Sequence, residues 1–186
     1  MNILMVILLS VLSCSSMVKG DIVKQHIKEA VSRNVLVENE KGHGSGVVIA
    51  TNLVLTCQHM IGTHMFVNGV PATILRINTG SDLMLLSVET GEVPQVRYAT
   101  KVEQGDVIFV VGNPLNHRDM VSIGRILDIE GSVFYSDAHV FFGNSGGGAY
   151  NTKGELIGIL FAMEGNSDGH PFAMIVSIDR LLEFFK

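Results

Sequence analysis

At 186 residues the chain has room for one domain or one compact two-lobed unit. Hydrophobic residues make up 47% and charged residues 17%, a balance that excludes an intrinsically disordered chain. A formal net charge of -5 with no Lys/Arg run excludes nucleic acid as a partner.

The first stretch, Ile3 to Leu12, is almost wholly apolar. That length suits the core of a signal peptide and is short for a membrane span. Residues 1–20 are therefore expected to be an export leader and 21–186 the folded unit. Val11-Leu12-Ser13-Cys14 resembles the lipobox of bacterial lipoproteins, which implies lipidation of Cys14, a membrane tether and a periplasmic or membrane-anchored location. Simple cleavage near Ser15 or Ser16, or an uncleaved anchor, is the alternative. With Cys14 lipidated, Cys57 has no partner for an intramolecular disulfide, and its apolar surroundings read as those of a small buried hydrophobe.

Asp21 to Arg33 has helical spacing, with Asp21 as N-cap and Ile22, Ile27 and Val31 facing inward. The period then shortens. Val35 to Val37, Gly46 to Ile49, Leu53 to Thr56, Met65 to Val67, Ala72 to Ile77 and Leu83 to Val88 read as strands. Thr51-Asn52 and Asn68-Gly69 supply turns between them. After a linker near Gly91 to Tyr98 comes a second series: Val107 to Val111, Val121 to Ile129, Val133 to Tyr135, Gly148 to Tyr150, Leu156 to Ala162 and Phe172 to Ile178. Asp179 to Lys186 closes the chain as a short helix with Leu181, Leu182 and Phe185 inward. Two sets of six short strands predict an all-β protein: two antiparallel six-stranded β-barrels, about 35–92 and 96–178, with a short helix at each end.

Gly143-Asn144-Ser145-Gly146-Gly147 is the stretch richest in chemistry. Glycines around a serine permit a tight turn whose N–H groups converge on one point, as a developing oxyanion requires. A serine hydroxyl needs a base beside it. His59 follows the run Val54-Leu55-Thr56 at a strand end, and Asp82 opens the apolar strand Leu83 to Leu86. Imidazole as base, carboxylate as orienter and hydroxyl as nucleophile form a triad.

These segments resemble the HtrA/Deg-type trypsin-like serine proteases over roughly Val35 to Leu182. Gly44 to Ile49 and Leu53 to His59 are similar to the histidine region of that family, and Ser81 to Leu86 to its aspartate motif. Val110 to Pro114, Asp137-Ala138, Gly143 to Gly147, Gly154 to Ile159 and Pro171 to Met174 are similar to its second-barrel segments. The resemblance implies a chymotrypsin-like fold and an exported serine endopeptidase acting on polypeptides through an acyl-enzyme. It implies His59, Asp82 and Ser145 as triad, and an oxyanion hole at Gly143, Asn144 and Ser145. It also implies a substrate pocket with His139 at its base and Leu160 and Phe161 on its wall. Leu160, where glutamate-specific relatives carry histidine, argues for a small or aliphatic residue before the scissile bond.

Three departures stand out. Gly148 replaces a proline and is expected to loosen the strand start. Asn144 replaces the aspartate that pairs with a freed N-terminus in digestive relatives. No PDZ domain follows within the sequence. No Cys/His spacing suits zinc, so neither metal nor cofactor is expected, and His43, His64, His117 and His170 read as solvated or packing residues. By family analogy α-helical N-terminal residues support a homo-oligomer. The competing reading is a catalytically latent protease-fold module that binds peptides or a partner protein.

Overall fold

The computed structural model describes residues 20–93, 95–165 and 171–186. The leader and Cys14 lie outside the described residues. A helix, α1 (20–31), is followed by six strands: β1 (Asn34–Asn39), β2 (Gly42–Ala50), β3 (Leu53–Cys57), β4 (Met65–Val67), β5 (Val70–Asn78) and β6 (Leu83–Ser87). Six more follow: β7 (Val107–Gly112), β8 (Met120–Glu130), β9 (Val133–Ser136), β10 (Gly148–Asn151), β11 (Leu156–Gly165) and β12 (Pro171–Ser177), then α2 (Ile178–Phe184). They close as two antiparallel barrels, in the orders β1-β2-β3-β6-β5-β4 and β10-β11-β12-β9-β8-β7. The expected all-β architecture with a short helix at each end is what the chain adopts. Among the described residues no helix is long and apolar enough to cross a membrane.

Alternation drives this folding. Side chains on a strand point to opposite faces, so β-branched and aliphatic residues at alternate positions fill a barrel. Val37, Val47, Val54, Leu55, Leu83 and Leu86 are buried in the first, and Ile108, Ile126, Ile157 and Ile175 in the second. The linker is strapped to both: Val96 N donates to the Ile49 carbonyl at 2.8 Å, and Leu156 N to that of Arg97 at 2.8 Å.

Each helix departs from its expected face at one apolar residue, Ile22 and Leu182, while Ile27, Val31, Leu181 and Phe185 lie against the core as expected. Helix α1 already includes residue 20, so Asp21 lies inside its first turn rather than capping it. Ile22 is 49% exposed, while Ala30, at 2%, is the residue buried against the barrel beside Ile27 and Val31. In α2 the buried stripe is Ile178, Leu181 and Phe184, and Leu182 is 42% exposed. The i, i+3, i+6 stripe starts one turn earlier than the sequence pattern did, because β12 delivers Ile178 directly into the core. Gly148 does not loosen its strand: a Cβ there would lie 2.6 Å from the Tyr150 ring. Glycine makes room for a fully buried aromatic that stacks on Phe109 at 5.4 Å.

Candidate active site

The register of β3 and β6 builds the first half of the site. Cys57 pairs with Leu83 at the last rung of that ladder, so Gln58 and Asp82 leave the barrel side by side. Gln58 N donates to the Asp82 carbonyl at 3.0 Å, and a single 3-10 turn, Gln58–Met60, swings His59 over the aspartate. The Asp82 carboxylate is used at both oxygens. His59 N donates to Oδ1 at 2.8 Å, and Nδ1 lies 2.6 Å from Oδ2. Because a carboxylate only accepts, Nδ1 carries the proton and Nε2 is left as the basic nitrogen. Asp82 has φ +51, a left-handed conformation that a short polar side chain tolerates and that clusters at functional sites. The hydrogen bond to Asp82 raises the His59 pKa above 6.5; partial burial opposes this, and the carboxylate charge adds to it.

The second half is the turn between residues 140 and 148. Gly143 and Gly146 have φ +98 and +87, and a Cβ on either would collide with backbone, at the Asn113 carbonyl for one and the Ser45 carbonyl for the other. The turn is anchored at several points. Ser45 N donates to the Ser145 carbonyl at 2.7 Å, Gly146 N to Leu160 O at 2.7 Å, and Gly147 N to Asn144 O at 2.8 Å. The Phe142 carbonyl accepts from Leu115 N at 2.8 Å. In a trans peptide the C=O and N–H point opposite ways, so the Gly143 N–H is turned away from Leu115. Neither Gly143 N nor Ser145 N has a backbone acceptor outside the strands among the described residues. Asn144 is 5% exposed, with its side chain packed on Gly112 rather than turned to solvent.

His59 and Ser145 line one cavity of about 420 Å³, with Val140, Phe141, Phe142, Leu160, Phe161, Ala162 and Met163. The structure thus brings His59, Asp82, Ser145, Leu160 and Phe161 to one seam between the barrels. His139 is not part of it. Residues 137–140 follow β9 without regular secondary structure, with Ala138 and Val140 buried and Asp137 and His139 exposed. The cavity therefore receives Val140, and His139 lines a separate hollow with Arg125 and Asp137. Sequence reasoning also passed over Phe141 and Phe142, two adjacent aromatics that are 47% and 78% exposed. An apolar pair directly before a Gly-Asn-Ser turn was the available signal. Ser45 was read only as part of a motif; its burial and its bonds to the other barrel were not legible.

Cys57, His59 and Asp82 hold potential metal-ligand atoms within 4.8 Å of one another. Their donor chemistry does not suit an ion. His59 Nδ1 and Asp82 already face each other, and the Cys57 thiol donates to the Leu160 carbonyl at 3.2 Å. Burial first, and the Asp82 charge second, push that thiol well above its ordinary pKa, so it stays protonated; a hydrogen bond from Gly146 N only partly opposes this.

Two closed barrels with a His–Asp pair and a glycine-rich serine turn facing one another across their seam define a two-barrel protein of the peptidase type. The model of the trypsin-like peptidase domain matches residues 44–159, and the chain belongs to that family, with HtrA/Deg-type relatives over most of its length. It is 31% identical over 166 residues to the periplasmic pH-dependent serine endoprotease DegQ of Escherichia coli (strain K12), covering 76% of this chain and 36% of that protein. It is 30% identical over 141 residues to the mitochondrial serine protease HTRA2 of Drosophila willistoni, covering 63% of this chain and 32% of that one. The chain thus spans about a third of these relatives. The crystal structure of the serine endoprotease from Yersinia pestis superposes with a TM-score of 0.78 at 26% identity, over 87% of this chain and 64% of that one. Rv3671c from M. tuberculosis H37Rv, in an inactive Ser343Ala form, shares the fold with a TM-score of 0.73 at 19% identity, covering 86% of this chain and 88% of that one.

Proposed function

We propose that the chain is an exported serine endopeptidase in which Ser145 is the nucleophile, His59 the general base and Asp82 its orienter. The observation that carries this reading is the 2.6 Å contact between His59 Nδ1 and Asp82, which leaves Nε2 for a cleft that Ser145 also lines. Nε2 takes the proton of the Ser145 hydroxyl as Oγ bonds to the substrate carbonyl carbon. The carbonyl oxygen gains the negative charge and is received by the N–H groups of Gly143 and Ser145. The imidazolium then protonates the departing amine as the C–N bond breaks. Water, deprotonated by the same imidazole, cleaves the acyl-enzyme and restores the hydroxyl.

The cavity next to Ser145 is lined by Val140, Leu160, Ala162 and Met163, with Phe141 and Phe142 at its rim and no charged side chain beyond His59. Such walls select an apolar residue before the scissile bond. Residues 1–20 would serve as leader, with Cys14 as its lipid attachment. A latent, peptide-binding module is the second reading, but the seating of the Phe142 carbonyl on Leu115 favours an open oxyanion site over a collapsed one.

Reaction with a fluorophosphonate probe, followed by mass mapping, tests the proposal. Label on Ser145, absent in His59→Ala, supports it, and folded protein that takes no label refutes it. Ser145→Ala should lower kcat on the order of a million-fold on a cleavable peptide.

A further inference from the structure

Next to the Ser145 cavity lies a second hollow of about 380 Å³, again at the seam between the barrels. Phe161 lines both, so the two adjoin at one side chain. The first barrel contributes Thr79, Ser81 and Asp82 to it, the second barrel contributes Ser132, and α2 contributes Arg180. Val133 and Val176 add apolar surface.

Two charged groups among the described residues line this hollow, and they are not equivalent. Both Asp82 oxygens are taken by His59, Oδ1 by its backbone N–H at 2.8 Å and Oδ2 by Nδ1 at 2.6 Å. Arg180 is oriented but not used up. Its Nε donates to Ser132 Oγ at 3.1 Å and its Nη1 to Glu183 at 3.0 Å, while Nη2 has no acceptor among the described residues. The Arg180–Glu183 pair is more than half exposed on both sides, so solvent screens it and it holds the guanidinium only weakly. The Ser132 hydroxyl accepts from Arg180 and keeps its own proton to donate. Ser81 Oγ is buried without a hydrogen-bond partner among the described residues, which is rare for a hydroxyl. The hollow thus offers a guanidinium and two serine hydroxyls as donors, and its one carboxylate is occupied.

A peptide that places an apolar side chain in the Ser145 cavity continues past Phe161 on the acyl side of the scissile bond. In an extended chain successive side chains point to opposite faces, so the second and fourth residues before the cut face away from that cavity. We propose that the hollow receives a glutamate or aspartate side chain at one of those two positions, and that Arg180 selects it. Planar guanidinium matches a carboxylate in both charge and geometry. A carboxylate oxygen also supplies the acceptor that the Ser81 hydroxyl lacks. The assignment rests on the endopeptidase reading of Ser145 and deepens it: the preferred substrate carries an acidic residue shortly upstream of an apolar one.

The full chain, assayed on acetyl-tetrapeptide coumarin amides ending in Val, tests this with Glu, Gln or Lys at the second or the fourth position before the coumarin. At one of the two positions kcat/KM is expected to be about three- to tenfold higher for Glu than for Gln, through KM, and lowest for Lys. Arg180→Gln should level Glu with Gln, Arg180→Lys should keep Glu ahead, and Arg180→Glu should put Lys ahead. Should Arg180→Glu fail to fold, the other two variants decide. Binding of the same peptides to Ser145→Ala reads the preference without turnover, and the same order is expected. If no peptide is cleaved and Ser145 takes no fluorophosphonate label, the endopeptidase reading fails and the binding series alone decides on Arg180. Equal KM for Glu and Gln at both positions, equal binding of the two by Ser145→Ala, or a Glu preference that survives Arg180→Gln overturns the proposal.

Discussion

The hydroxyl of Ser45, on β2 of the first barrel, donates a 2.7 Å hydrogen bond to the carbonyl of Gly143, in the turn of the second barrel that carries Ser145. The same oxygen accepts from Asn113 N at 2.8 Å, and Ser45 is fully buried. One side chain thus ties β2, the Asn113 turn and the Ser145 turn together. Ser45→Ala strands a part-buried carbonyl and a buried N–H. It should cost about 1–3 kcal/mol, read in denaturant unfolding, and lower kcat more than it raises KM.

The pH profile of the proposed activity has a sign that the geometry sets. His59 must be neutral to accept a proton, and its pKa is raised above 6.5 chiefly by the hydrogen bond to Asp82. The acid limb of kcat/KM is therefore expected to have its midpoint above pH 6.5. Asp82→Asn removes the partner, moves that midpoint down and costs about 10,000-fold in kcat. Stability runs the other way. The protonated pair stabilises the fold below the unfolded value of 6.5, and that contribution is lost as pH rises through the folded value. A thermal-melting series from pH 5 to pH 9, compared with Asp82→Asn, checks it.

Cys57 should be chemically silent in the folded protein. It is 0% exposed, and burial holds the thiol protonated. Iodoacetamide at neutral pH is expected to modify Cys57 only in denaturant. Rapid labelling of the native chain there would contradict the described packing.

Gly148→Ala introduces a Cβ 2.6 Å from the Tyr150 ring, which is itself clamped on Phe109. Overpacking of this kind should cost about 1–3 kcal/mol. Gly148 also pairs with Val111 on one side and Ile159 on the other, so Gly148→Pro removes a ladder donor as well and should cost more. Chemical denaturation of the two variants orders them.

Glu40 provides a check on the loop that follows His59. Its carboxylate accepts from Thr63 N at 3.0 Å and from His64 N, and the Thr63 bond is the main reason its pKa falls to about 2. A depressed carboxylate stabilises above its unfolded value of 4.5 and loses that contribution as pH falls toward 2. Glu40→Gln should therefore flatten the acid side of the stability curve between those limits, with the difference from the parent chain disappearing only at about pH 2 and below.

Local pattern made the strands legible. Met65 to Val67 is the same in sequence pattern and structure, and β3, β6 and β7 differ from the expected runs by a residue at an end. Period-2 alternation ending in Asn, Gly or Asp turns is a local signal, so it survives without tertiary context. The helices were harder. A short helix offers several apolar stripes within a turn of one another, and only the barrel surface selects Ala30 over Ile22 or Phe184 over Leu182.

The sequence by itself determined that His, Asp and Ser lie at strand ends and turns in that order, because each is bounded by its own strand and glycine signals. It determined the two-barrel architecture for the same reason. Which side chains meet across the seam was decided only by the tertiary structure. Ser45 and Gly143 are 98 residues apart, and their contact follows from how two closed barrels dock. The exchange of His139 for Val140 follows from which of residues 137–140 turn inward, an alternation set by the packing of the second barrel that no local pattern records.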